Sequence, residues 1–129
     1  MRILIDTHVF LWALLQPELL SDKAVSLLNS PDTTIYFSSA SSWEVAIKWS
    51  KGALILPSPP KDFVVGRLIE IGATIMPITI DDTLGVSELP HHHKDPFDRL
   101  LIAQAKENGL RIFSGDPVFK KYDVDVFWY

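Results

Sequence analysis

The sequence predicts an α/β fold built on a central parallel sheet of about five strands, with helices on both faces. The first indication is the opening segment MRILID, a short apolar run that ends in a carboxylate. Short runs of this kind, bounded by turn residues, are typical of strands that are buried on both faces. The second indication is the alternation of five such strands with helical patterns along the chain, which is typical of parallel sheets.

The predicted strands are short and rich in aliphatic or aromatic residues. They are Ile3 to Ile5, Thr34 to Ser38, Thr74 to Ile78, Arg111 to Phe113 and Val124 to Trp128. The segment RIFSGD repeats the arrangement of MRILID, because an apolar run again leads to an acid, Asp116. Ligands of parallel α/β sheets bind beyond the carboxyl ends of the strands, so we expect Asp6 and Asp116 at the functional edge.

Six helices are predicted between these strands from apolar spacing and from helix end signals. They are Thr7 to Leu15, Ser21 to Asn29, Ser42 to Lys51, Lys61 to Ile71, Asp81 to Glu88 and Pro96 to Asn108. Gly52, Gly72 and Gly109 are expected just past the ends of three of them. The Ser42 to Lys51 helix carries Trp43 and Trp49 on different faces, which predicts either burial on both faces or a surface for a protein partner.

Composition limits the class of protein. At 129 residues, the chain is expected to form one domain, residues 1–129. The absence of cysteine excludes disulfides and thiolate metal sites and favours the cytoplasm. A net charge of -4 excludes a broad basic surface for nucleic acid, so a nucleic-acid substrate would have to be held by local lysines and arginines and by a metal. No apolar stretch approaches the ~20 residues that span a bilayer, and the start lacks a signal-peptide cleavage site.

Four carboxylates are the candidate site residues: Asp6, Glu44, Asp98 and Asp116. Each could instead be a helix N-terminal acid, which typically contributes ~0.3 to 1 kcal/mol. Helices that directly follow parallel strands begin at one edge of the sheet, so these acids are expected to converge. Carboxylates repel by about 4 kcal/mol at ~4 Å for an effective dielectric near 20, and a cation relieves that repulsion. Oxygen ligands suit Mg²⁺ or Mn²⁺, and hydrolysis of a phosphodiester is the chemistry that follows.

The segment around Asp98 divides its roles. Asp95 is expected to cap the helix that begins at Pro96, which leaves Asp98 free to face the metal. Arg99 is a candidate for pairing with a phosphate or for orienting a carboxylate, although a solvated arginine is an alternative. Thr7 and Ser114 are candidate supporting residues through their hydroxyls. Lys48, Lys51, Lys94 and Arg99 are the candidate contacts for a nucleic acid.

The run His91-His92-His93 suggests zinc, but consecutive residues cannot converge on one ion without a tight turn. A loop before the Asp95 cap is the preferred interpretation. His8 follows Asp6 closely and is a candidate titratable helper, although an ordinary exposed or core histidine is more common.

Four segments resemble, in order and spacing, the PIN-domain ribonucleases of the VapC toxin type. They are MRILIDTHVFLWAL, SASSWEVAIKWSKGAL, LPHHHKDPFDRLLIAQA and the turn Ser114-Gly115-Asp116. The resemblance implies a three-layer α/β/α sandwich and a magnesium-dependent endoribonuclease. It also implies homodimerisation and an antitoxin that inserts a segment into a hydrophobic groove beside the active site. The acidic quartet of the family falls on Asp6, Glu44, Asp98 and Asp116, and Ser114 replaces a frequent threonine.

Two other classes of function compete with a metal-dependent nuclease. A receiver domain also sets acids around Mg²⁺, but it needs a phosphate-accepting Asp after a central strand, and the Thr34 to Ser38 strand ends in serines. The second alternative is a non-catalytic binding module in which the acids only cap helices. In the nuclease hypothesis, Asp6, Asp98 and Asp116 bind one or two metal ions, while Glu44 binds a second ion or orients the attacking water.

Overall fold

The computed structural model describes residues 1–127, in which five strands form one entirely parallel sheet. The strands are β1 (Arg2–Ile5), β2 (Thr34–Ser38), β3 (Thr74–Met76), β4 (Arg111–Phe113) and β5 (Val126–Phe127). Their order across the sheet is β3-β2-β1-β4-β5, so the first strand lies in the centre. Leu4 of this central strand pairs with Tyr36 on one side and with Ile112 on the other.

Six α-helices connect the strands of the described chain. They are α1 (Thr7–Leu15), α2 (Asp22–Asn29), α3 (Ser39–Ser50), α4 (Pro60–Glu70), α5 (Ile80–Gly85) and α6 (Pro96–Asn108). Short 3₁₀ turns lie at Pro17–Leu19, Val86–Glu88 and Pro117–Lys121. None of the helices in residues 1–127 is long and apolar enough to cross a membrane.

Two apolar cores cover the two faces of the sheet. Ile3 and Ile5 of β1 pack with side chains of α1, α2, α3 and α4, whereas Leu4 packs with α6 and with the segment that follows β4. Successive side chains of a strand point to opposite faces, so one central strand contributes to both cores. The predicted α/β/α sandwich with a five-stranded parallel sheet is confirmed.

Most predicted boundaries agree within two residues, and the differences that remain have local causes. β3 ends at Met76 rather than Ile78, because Pro77 has no N–H for the sheet. The helix predicted from Asp81 is a short α-helix capped by Thr79, followed by the 3₁₀ turn at Val86–Glu88. Trp128 of the last predicted strand lies outside the described residues.

The predicted helix ends at the three glycines are confirmed. Gly52, Gly72 and Gly109 all have positive φ angles, between 64° and 75°. This left-handed conformation costs glycine nothing and ends each helix by exposing the last carbonyls to new partners.

Candidate active site

The acidic residues follow strands at the point where the connections of the sheet reverse direction. The chain leaves β1 towards β2 on one side, while β4 occupies the other side of β1. A crevice forms outside the carboxyl ends of strands at such a point and is the usual ligand site of this architecture. Asp6 follows β1 directly, and its backbone N–H donates to the carbonyl of Phe113, the last residue of β4.

Asp6 lies at the bottom of this crevice, and its side chain does not cap α1. The residue is only 3% exposed, and its Oδ2 accepts the Ser114 hydroxyl at 2.8 Å. Ser114 Oγ in turn accepts the backbone N–H of Asp116 at 3.0 Å. Burial raises the pKa of the Asp6 carboxyl and the charge of Glu44 raises it further, while Ser114 and His8 act in the opposite direction. The Asp6 side chain makes no capping hydrogen bond to α1, and the backbone of His8 in the first turn is the smallest of the influences on its pKa.

Glu44 occupies a different position in its helix from the one expected. Because the Ser38 hydroxyl accepts the N–H of Ala40, α3 begins at Ser39 rather than Ser42. Glu44 therefore lies in the second turn, beyond the free N–H groups. The alternative that Glu44 is a helix N-terminal acid is wrong. The residue is 4% exposed, and its Oε2 pairs with Lys48 Nζ at 2.7 Å.

Asp95 caps α6 as predicted, and the Asp98 side chain is not part of that cap. Asp95 Oδ1 accepts the N–H groups of Phe97 and Asp98 at 2.9 and 3.1 Å, which confirms it as the cap of α6. Asp98 lies one helical turn later, with its side chain 15% exposed. Asp116 does cap its own 3₁₀ turn, through the N–H of Val118, and is exposed.

The charges of the neighbouring carboxyl groups act on Asp98. Burial raises the pKa of Asp98 to about 8, with further contributions from Asp95, Asp6, Glu44 and Asp116 in that order. Burial and neighbouring negative charges disfavour the ionised form of a carboxyl group. A nearby cation would favour that form. Within residues 1–127, no three acidic or histidine side chains already lie close enough to hold a metal ion. The oxygen-only donor set fits a hard divalent cation, provided that the side chains turn inward.

The supporting residues take several positions. Thr7 is buried and donates its hydroxyl to Ser41 at 2.8 Å, so it ties α1 to α3. The expectation that Arg99 contacts RNA is wrong, because its guanidinium is buried and donates to loop carbonyls, including that of Pro90 at 2.7 Å. Lys48 is half-exposed and already paired with Glu44.

Sequence reasoning missed the partner of Asp98. His93 Nε2 lies 3.3 Å from Asp98 Oδ2, and His93 Nδ1 lies 2.7 Å from the Tyr122 hydroxyl. The three histidines suggested only a metal site, and they form none with other residues of the described chain. Nothing in the sequence connects Tyr122 to this contact, because α6, β4 and a 3₁₀ turn separate it from His93 in the chain.

Exposed apolar residues mark two further regions. Trp43 is 59% exposed and packs edge-on against Phe97, beside Asp98, while Trp49 is 40% exposed. Val45 on the same helix is fully buried, so this helix contributes to the core through Val45 and leaves much of its tryptophan surface exposed. A cavity of 520 Å³ with both apolar and polar lining residues lies among α1, α2 and the end of α4, and Thr33 and Gly72 line it. Both residues precede strands, so the cavity extends towards the opposite edge of the sheet from the acids.

The sequence model of the PIN domain matches residues 3–125. The chain belongs to the PIN domain family. PIN domains are typically nucleases and generally use divalent metal ions. Among curated proteins, no sequence matches the chain significantly.

Solved structures share the fold of this PIN domain along its whole length. VapBC2 from Rickettsia felis, bound to a DNA fragment from its promoter, aligns with a TM-score of 0.74 at 15% identity, covering 100% of this chain and 99% of that chain. FitAcB from Neisseria gonorrhoeae aligns with a TM-score of 0.67 at 21% identity, covering 97% and 96%. At these identities, the likeness establishes the fold.

Proposed function

We propose that this PIN domain is a Mg²⁺-dependent endoribonuclease that acts as the toxin of a toxin–antitoxin pair. The observation that carries the proposal is the burial of Asp6 and Glu44, 3% and 4% exposed, after the carboxyl ends of neighbouring strands, close enough to Asp98 to contribute to its raised pKa. An arrangement that only stabilised helices would keep acids apart and bonded to N–H groups. Asp6 and Glu44 make no such bonds to helix N-termini.

The residues of the chain then take the following roles. Asp6, Asp98 and Asp116 would hold the metal, and Glu44 would hold a second ion or orient the attacking water. When bound, Mg²⁺, or Mn²⁺ in its place, would supply an activated water and neutralise charge on the scissile phosphate. Ser114 orients Asp6 through its hydroxyl, and it ties the N–H of Asp116 to the same atom.

RNA binding would rest on local basic residues, because the net charge of the chain is -4. Lys48 pairs with Glu44, so Lys51 and Lys94 are the remaining candidates. Both are exposed; Lys51 directly follows α3, and Lys94 lies just before α6. Their contribution to affinity should fall as salt rises, because phosphate contacts release counterions. An RNA substrate would place the activity in the cytoplasm.

The proposed partners are a protein antitoxin and a second copy of this chain, with which it would form a homodimer. Support for the antitoxin comes from the likeness in fold to FitAcB and to VapBC2, which is bound to a DNA fragment from its promoter. The exposed Trp43 beside Phe97 supplies an aromatic surface of the kind that protein interfaces use. The 520 Å³ cavity is a second candidate surface.

Cleavage of a structured RNA, with Mg²⁺ and with a chelator, tests the nuclease proposal. The wild-type chain should cut only with the metal, and Asp6→Asn should lose the cuts because a neutral amide is a poor metal ligand. Asp62→Asn is the matched control, since Asp62 is exposed on α4 and shows no hydrogen bond or ion pair to the acidic cluster within residues 1–127. Undiminished cleavage by Asp6→Asn, or by the wild type in chelator, would contradict the proposal.

A further inference from the structure

A line of three hydrogen bonds leads from a buried arginine to the Asp98 carboxyl. Arg99 NH1 lies 3.1 Å from the Tyr122 hydroxyl, which lies 2.7 Å from Nδ1 of His93. The other ring nitrogen of His93 lies 3.3 Å from Asp98 Oδ2. Arg99 and Tyr122 are 7% and 5% exposed, so solvent does not compete for the inner bonds.

The chemistry of these groups gives the line one direction when Asp98 is ionised. A guanidinium can only donate, so the Tyr122 oxygen accepts from Arg99 and keeps its own hydrogen for Nδ1 of His93. A carboxylate can only accept, so Nε2 of His93 carries the ring hydrogen and donates it to Asp98. Every donor then meets an acceptor, and the tautomer of the imidazole is determined.

Further contacts hold this line in place. The Arg99 guanidinium also donates to the carbonyls of Pro90, Val86 and Leu89, which belong to the segment that precedes the histidines. Since Arg99 is the neighbour of Asp98 on α6, the loop that carries His93 is tied to the helix that carries Asp98. The Tyr122 ring meets the His93 ring edge-on at 5.5 Å.

We propose that His93, oriented by Tyr122 and Arg99, is a positioning residue that aims the Asp98 carboxylate at the metal ion. This inference rests on the proposed metal-dependent function. Hydrogen-bonded partners of metal ligands fix the ligand orientation, and their loss typically costs 10- to 100-fold in metal affinity or activity, roughly. His93 would contact neither RNA nor metal, and its effect would pass through Asp98.

Two substitutions at position 93 separate orientation from mere packing. The amide of Gln reaches the position of Nε2 and can still donate to Asp98, whereas the shorter Asn reaches only the position of Nδ1. His93→Asn should therefore weaken Mn²⁺ binding, measured by calorimetry, by about 10-fold or more, and His93→Gln should restore most of the affinity. His91→Asn is the control, because His91 is exposed in the same loop.

Two measurements besides activity complete the test. The ¹⁵N shifts of His93, recorded with Mg²⁺ at alkaline pH, should report hydrogen on Nε2, and Tyr122→Phe should change these shifts while the chain stays folded. Wild-type Mn²⁺ affinity in His93→Asn, equal losses in the Asn and Gln variants, or hydrogen on Nδ1 would overturn the positioning role. A wild-type chain that binds no divalent metal would instead overturn the proposed function, and the positioning role with it.

Discussion

Asp82 and Asp98 are two mostly buried acids on the same side of the sheet, and they have opposite surroundings. Asp82 is 2% exposed, and its Oδ2 accepts the N–H of Thr79 at 3.0 Å and the amide of Gln104 at 3.1 Å. Asp98 has one long hydrogen bond, to His93, and carboxyl groups around it. A buried acid with donors is stabilised as a carboxylate, whereas a buried acid among acids holds a proton until a cation or a higher pH removes it. This difference separates the candidate catalytic acid from the structural one.

The largest expected effect is on cleavage. Asp98→Asn should reduce RNA cleavage by more than about 100-fold, since losing a ligand should cost more than losing the partner of a ligand. Asp82→Asn should retain cleavage at temperatures where it is folded, because Asp82 faces Thr79 and Gln104 rather than the crevice. Rates of cleavage of one labelled RNA by both variants measure this. Equal losses in the two variants would remove the distinction between these acids.

The pH dependence of metal binding is expected to be the next largest effect. Since the pKa of Asp98 is raised to about 8, a metal ion must displace a proton from it at neutral pH. The apparent Mg²⁺ affinity should rise with pH up to this value, approaching about tenfold per pH unit where one proton is displaced. Calorimetry in buffers of different ionisation enthalpy would count the protons. An affinity that stays constant over this range would mean that Asp98 is not a ligand.

Stability should change in opposite directions in the two variants. Between the ordinary value of 3.8 and about 8, the folded metal-free chain binds more protons at Asp98 than the unfolded chain. The stability that this proton contributes is complete below 3.8 and is lost as pH rises through about 8. Asp98→Asn removes the repulsion, so at alkaline pH the variant should have a higher free energy of unfolding than the metal-free wild type.

Asp82→Asn should instead lower the free energy of unfolding, by about 1 kcal/mol, because charge-assisted hydrogen bonds become neutral ones. Urea unfolding of both variants and of the wild type, without metal, gives the comparison. A loss of stability in Asp98→Asn at alkaline pH would show that its hydrogen bond to His93 outweighs the repulsion.

The smallest expected effect is at Lys48, the cation already present beside the acids. Its pair with Glu44 joins residues one helical turn apart, a kind of pair that contributes ~0.2 to 0.5 kcal/mol. Lys48→Gln should therefore raise Mg²⁺ affinity by no more than about threefold, because Glu44 is released for the metal. Lys51→Gln on the same helix is the control. A weaker Mg²⁺ affinity in Lys48→Gln would mean that the lysine supports the site.

Local signals in the sequence were sufficient for much of the fold. The cap at Asp95, the proline at Pro96 and the left-handed Gly109 delimit α6 to the residue, because each acts through its own backbone and its neighbours. The start of α3 was misplaced because any of several consecutive serines could cap it, and only the packing of the β2 end selected Ser38. Gln104 shows the same limit, since its position on an apolar helix face was visible but its bonds to Asp82 and Ser38 were not.

The sequence by itself determined the alternation of strands and helices and most helix ends, and it proposed Asp6, Glu44, Asp98 and Asp116 as a group. These features depend on short-range patterns of apolar, capping and charged residues. Only the tertiary structure decided that Arg99 is buried, that His93 reaches Asp98, and that Tyr122 reaches His93. Such contacts join residues that are distant in the chain or share a surface, and no local pattern encodes their distance or their direction.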